Sequence, residues 1–267
     1  MRGKRTRREL NRKLLAAARE GNLAEVEQLL ASGAQVGTRN KVGMQMVHVA
    51  AKLGHLPVVE FLFRMGVPVD APDGSGAQPI HWASVFRHPP MVEFLIGKGA
   101  KVDAVDPKTG RQPMHIAAAW GNVSAMEILS RHGASIDAED RDGCQPLHQA
   151  AKNGQLPAGE FLRQKGARVD AETKRGMRPL HYGVDTGYLA MVEWLLAAGA
   201  DFEAVDNDGK TPLDFAAENP EISALLERWL SSEIAMERRQ VKNAGAIRAL
   251  RARQRQLGSL RPRGPAL

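Results

Sequence analysis

Glycine returns at Gly43, Gly76, Gly110, Gly143, Gly176 and Gly209, in steps of 33, 34, 33, 33 and 33 residues. Five residues after each of the first five stands a histidine (His48, His81, His115, His148, His181), and Asp214 takes that place in the last. A second series, Gly33, Gly66, Gly99, Gly133, Gly166 and Gly199, keeps the same phase. Four residues after its last five members stand Asp70, Asp103, Asp137, Asp170 and Glu203, each followed by alanine. A period of this length means stacked modules that each touch only their neighbours, not a globule built around one point.

Each period holds two apolar stretches of helical spacing on either side of a break. Pro113-Met114-His115-Ile116-Ala117-Ala118-Ala119 reads as a short first helix, Gly121-Asn122 breaks it, and Ser124–Leu129 reads as a second. Proline fits the first helical turn because its missing N–H has no intrahelical partner there. Pro57 and Pro157 play that part in second helices. Small alanines let the next module approach closely. Gly133 stops the second helix, and Ile136–Gly143 reads as an extended, turn-rich finger.

These motifs resemble the ankyrin repeat, whose signature is T-P-L-H-x-A-A, then G-H, then L-L-x-x-G-A-x-x-x-A. It appears as Gln78-Pro79-Ile80-His81-Trp82-Ala83, Gln112-Pro113-Met114-His115-Ile116-Ala117-Ala118, Gln145-Pro146-Leu147-His148-Gln149-Ala150-Ala151 and Thr211-Pro212-Leu213-Asp214-Phe215-Ala216-Ala217. The resemblance implies an all-α ankyrin-repeat solenoid: stacked helix-turn-helix pairs with β-hairpin-like fingers. Six whole or nearly whole copies follow a degenerate first copy at Leu14–Ala34. The expected organisation is a basic arm at 1–9, the array at 10–230, a basic helix at 231–257 and a disordered tail at 258–267.

Departures from the signature carry their own expectations. The usual threonine cap is Gln45, Gln78, Gln112, Gln145 and Arg178, which should weaken each helix start by a few tenths to about 1 kcal/mol. In the third copy Arg87 replaces the inter-helix glycine and Pro89-Pro90 follow, so its first helix should end early.

Charge is segregated. Of a net +7, residues 1–13 contribute +6 and residues 233–267 contribute +7, which leaves the middle at −6. No run approaches the roughly 18 apolar residues of a membrane span. No apolar stretch follows the basic N-terminus, so a secretory signal is not expected. Cys144 is the single cysteine and cannot form an internal disulfide or a thiolate zinc site. A cytoplasmic chain is expected, with nuclear import through the arginine clusters as a second reading.

The histidine ladder is not read as a metal site. Equivalent helices stack roughly 8–10 Å apart, whereas zinc needs its nitrogens near 2.0–2.1 Å. A histidine bonding the neighbouring finger's backbone is the simpler reading. The row Glu27, Glu60, Glu93, Glu127, Glu160 and Glu193 reads as a solvated ridge. The sequence has no P-loop, dinucleotide fingerprint, H-E-x-x-H or G-x-S-x-G. No catalytic residue, cofactor or metal ligand is assigned, and the chain is not expected to be an enzyme.

The resemblance implies ligand contact at finger tips and at exposed ends of first helices. There the last residue before the break reads Leu53, Phe86 and Trp120 on consecutive copies, with Val85 beside Phe86 and Met44 and Ala77 extending the strip from the fingers. Large apolar groups on a wetted face mark a protein-binding surface. Further along, the fingers turn basic at Lys108, Arg111, Arg141, Lys174, Arg175 and Arg178, which suits an amphipathic partner. The expected sites are therefore Met44, Leu53, Val85, Phe86, Arg111, Trp120, Lys174 and Arg175, on a monomeric adaptor gripping a protein or peptide by its concave face. The alternative is a nucleic-acid-associated or nuclear factor that binds through its Arg-rich ends.

Overall fold

The computed structural model describes residues 2–217 and 219–231, with side chains from residue 6 onward. Its first helices are α1 (Arg2–Glu20), α3 (Met46–Leu53), α5 (Pro79–Ala83), α7 (Pro113–Ala119), α9 (Pro146–Lys152), α11 (Pro179–Asp185) and α13 (Pro212–Phe215). The second helices are α2 (Leu23–Ala31), α4 (Leu56–Arg64), α6 (Pro89–Gly97), α8 (Val123–Arg131), α10 (Leu156–Gln164) and α12 (Leu189–Ala197). First helices pack on first helices of adjoining copies, and second on second. Among the described residues there is no extended strand; one isolated bridge joins Arg39 and Gln45 in the first finger.

The chain divides into two units, residues 1–218 and 219–267. In the second unit, residues 220–231 are helical. The expected basic helix at 231–257 and tail at 258–267 lie outside the described residues beyond Ser231. At the other end α1 runs unbroken across the boundary expected at residue 9. Arginine, lysine and leucine are good helix formers and no glycine or proline interrupts them after Gly3, so the basic arm is the first half of a helix.

The core is an apolar seam between helix layers. Met46, Leu62, Ile80, Leu95, Met114, Leu129, Leu147 and Leu162 are fully buried along it, with alanines such as Ala50, Ala83, Ala117 and Ala150 where first helices meet. Each residue of this type contributes about 1.5–3 kcal/mol, and only because a neighbouring copy covers it.

The inter-helix turns explain the glycines there. Gly54 has φ +78, and a Cβ on it would lie 2.5 Å from the His88 ring of the next copy; Gly154, at φ +64, would meet the Tyr188 ring at 2.5 Å. The third copy, which has Arg87 instead, departs from this arrangement. Its first helix is only five residues long, as expected. The following copy offers the smaller Asn122, whose Nδ2 donates to the Phe86 carbonyl at 2.6 Å and the Ser84 carbonyl at 3.2 Å.

Fingers close on themselves through side chains that imitate backbone turns. Asp73 Oδ1 accepts from the amides of Ser75 (2.7 Å) and Ala77 (3.0 Å), and Asp140 Oδ1 from those of Asp142 and Cys144. Neighbouring fingers are then joined backbone to backbone: Gly74 N–H to Gly43 O (2.9 Å), Arg141 to Thr109 (3.1 Å), Lys174 to Asp142 (3.0 Å) and Asn207 to Arg175 (2.9 Å). The corresponding donor position in the fourth copy's finger is Pro107, which has no N–H to give.

Candidate functional site

The repeated histidines hold the helix starts. In each of the first five fingered copies the N-cap backbone N–H donates to the imidazole Nδ1 three residues on, from Gln45 to His48 (3.2 Å) through Arg178 to His181 (3.1 Å). Nε2 of the same ring meets a carbonyl oxygen of the next finger: Ala71 (2.8 Å), Ala104, Cys144 and Ala171 (2.9 Å each) and Lys210 (3.3 Å). A ring that accepts at Nδ1 must carry its proton on Nε2. Burial holds all five below the ordinary histidine range, His148 at about 4. The glutamine caps contribute little beside this, since Oε1 of Gln112 and of Gln145 is buried without a partner.

With first helices so oriented, their ends carry the strip expected to bind. Phe86 is 39% exposed and Trp120 58% exposed, and their ring centroids lie 6.2 Å apart at 47°. Leu53 is half-buried. Lys52, beside it on α3, holds its Nζ 5.1 Å from the Trp82 ring centroid and 5.5 Å from that of Phe86. Trp82 is itself fixed by donating Nε1–H to Asp73 Oδ2 at 2.9 Å. The arrangement is an apolar aromatic surface with an ammonium at its margin.

Three residues expected on the wetted strip, Met44, Ala77 and Val85, are inside. Met44 is 5% exposed because its finger folds back on it: Asn40 N–H donates to the Met44 carbonyl at 2.8 Å, and Asn40 Oδ1 accepts the Met44 amide. Ala77, Cys144 and Met177 occupy the same register and are likewise buried. Val85 is 7% exposed because α5 stops at Ala83 and the turn after it carries Val85 inward and Phe86 outward.

Four of the basic finger residues, Arg111, Lys174, Arg175 and Arg178, reach neighbouring fingers. Arg111 Nε reaches Asp140 at 3.5 Å, Lys174 Nζ donates to the Arg141 carbonyl at 2.7 Å, and Arg175 lies 3.9 Å from Asp208. Arg178 bridges Glu172 (2.9 Å) and Asp201 (3.0 Å). They are not gathered with Phe86 and Trp120. The cation that does sit there, Lys52, was not among the expected site residues. Its signal was positional: it ends a first helix one copy before the bulky Trp82. Tyr188 is 46% exposed. A separate depression of about 350 Å³ lies on second helices, lined by Glu60, Phe63, Arg64, Phe94 and Lys98, with Phe63 and Phe94 stacked at 5.9 Å.

No helix among the described residues is long and apolar enough to cross a membrane. A family model for ankyrin repeats (3 copies) matches residues 14–106 and 101–173, and one for ankyrin repeats (many copies) matches 162–216. The chain is similar to the crystal structure of the human ASB11 ankyrin repeat domain at 26% identity, over 81% of this chain and 96% of that one, with a TM-score of 0.70. A search of curated proteins found no match. The family matches span well over half of the sequence and follow the same glycine and histidine register that builds the fold: the chain belongs to the ankyrin repeat family.

Proposed function

We propose that this chain is a non-catalytic adaptor or regulatory scaffold that binds a partner protein or peptide on the concave face of its array, anchored by Leu53, Phe86 and Trp120. Ankyrin repeats are generally protein-interaction modules, and a fold whose polar repeats are spent on its own backbone leaves side-chain variation free for recognition. The observation that carries the reading is the Phe86–Trp120 pair. Two aromatic rings lie in contact with each other while both stay substantially exposed. Large aromatics left partly wet are the residues that dominate interface energetics once a partner excludes water.

The test compares the wild-type chain with the Phe86→Ala/Trp120→Ala double variant, in affinity capture and in thermal melting. Partners bound by the wild type and lost from a variant of near-native melting temperature support the anchor. A variant that melts much lower yet retains every partner refutes it, because the rings would then serve the fold.

Exposed Arg7, Arg8 and Arg12 on α1 favour a second reading, contact with nucleic acid through the basic ends. Phosphate-driven binding falls steeply as salt rises, whereas an aromatic anchor is nearly indifferent to it, so a salt series separates the two.

A further inference from the structure

Lys52 and Lys152 occupy the same register at the ends of α3 and α9, three copies apart, with Val85 and Ala119 at the two positions between them. Each ammonium lies over a ring of the following copy: Lys52 over Trp82 at 5.1 Å, and Lys152 over Tyr182 at 5.9 Å. Lys98 over Phe94 and Lys165 over Phe161 differ, being pairs four residues apart on or at the end of one helix. A ring face attracts a cation but offers no acceptor strong enough for the three N–H donors of an ammonium. Among the described residues neither Lys52 nor Lys152 has a carboxylate within 4 Å, although Asp185 takes the next position in the register after Lys152. Arg111, Lys174, Arg175 and Arg178, by contrast, are already engaged with neighbouring fingers.

We propose that the partner is a peptide segment carrying one carboxylate on each side of its apolar anchor, and that Lys52 and Lys152 receive them. This rests on the reading of Phe86 and Trp120 as the anchor site, since Trp120 lies between the two ammoniums along the stack. Three steps of about 8–10 Å place those ammoniums roughly 24–30 Å apart. That distance is spanned by about seven to nine residues of extended chain at ~3.3 Å each, or by about 16–20 residues of helix at ~1.5 Å each. Charge complementarity therefore sets both the sign and the spacing of the partner's polar groups. It also moves the acidic contact from the distant fingers to the margins of the aromatic surface.

The experiment is a selection from a random peptide library displayed on phage, with inserts of about 24 residues so that either spacing fits, against the full chain. The expected sequences carry an aromatic or aliphatic centre flanked by two acidic residues at one of those spacings. Lys52→Gln and Lys152→Gln should each weaken binding of a selected peptide about 5-fold at low salt, the scale of an exposed ion pair. Each should relax the acidic preference at one end only, and melting temperatures should stay near wild type. Selected peptides without the paired acids, whose binding still falls with Phe86→Ala/Trp120→Ala, overturn this proposal and leave the anchor standing. Peptides indifferent to Phe86→Ala/Trp120→Ala, or a library that enriches nothing, overturn both.

Discussion

His148 places its Nε2 2.9 Å from the carbonyl oxygen of Ala171 and so ties its own helix start to the next finger. Its Nδ1 meanwhile accepts the Gln145 amide at 3.0 Å, so a second ring proton would point N–H at N–H. Burial opposes the charged form as well and holds the group at about 4 against an ordinary 6.5. The unfolded chain then binds the proton first as pH falls. The stabilisation is complete above about pH 6.5 and is lost progressively as pH drops toward 4.

Acid should therefore loosen the array from about pH 6.5 downward. His148 alone costs about 3 kcal/mol by pH 4, at about 1.4 kcal/mol per pKa unit. His48, His81, His115 and His181 act in the same direction. Urea midpoints measured from pH 7.5 down to 4.5 should fall continuously below about 6.5. A flat profile across that window would contradict the buried neutral tautomer.

Glycines with positive φ should split into two classes. Gly33, at φ +95, has open space where a Cβ would sit, so Gly33→Ala should cost only the left-handed backbone strain of about 1–2 kcal/mol. Gly154→Ala should cost more, since the new methyl meets the Tyr188 ring at 2.5 Å. Combining it with Tyr188→Ala should recover the excess. Chemical denaturation of the four variants gives the coupling directly, and zero coupling would mean that the ring does not rest on the turn.

The stack should also open unevenly. Between the third and fourth copies the finger ladder meets Pro107, and α5 is cut short beside Arg87. Native-state hydrogen exchange should give residues 79–97 lower opening free energies than residues 113–131, because fewer ordered contacts must break to expose them. Equal protection across that junction would show that the Asn122 amide, bound to Ser84 and Phe86, compensates in full.

Most of this architecture could be read from the chain because a module's period fixes its backbone, and the backbone's demands select particular residues. Gly121 announces the break between helices, and His115 announces a carbonyl to hold. The early end of α5 followed from Arg87 and Pro89. Met44 and Val85 were misread for one shared reason. Each lies beside a turn whose hydrogen bonds, not its periodicity, decide which way the side chain faces. Asn40 closes around Met44, while the truncated α5 sends Val85 in and Phe86 out. The charges on Arg111 and Lys174 were visible, but their partners Asp140 and the Arg141 carbonyl lie 29 and 33 residues away, beyond what local pattern reveals.

In the last fingered copy the histidine becomes Asp214, which accepts the Thr211 amide at 2.7 Å. A carboxylate can cap its own helix but has no proton to hand onward, and no later finger follows it among the described residues. The choice between imidazole and carboxylate at this one position thus works as punctuation, continue or stop. An array shortened to end at the copy of His181 would lose the Lys210 carbonyl that Nε2 meets, and His181→Asp would keep the helix cap without that partner.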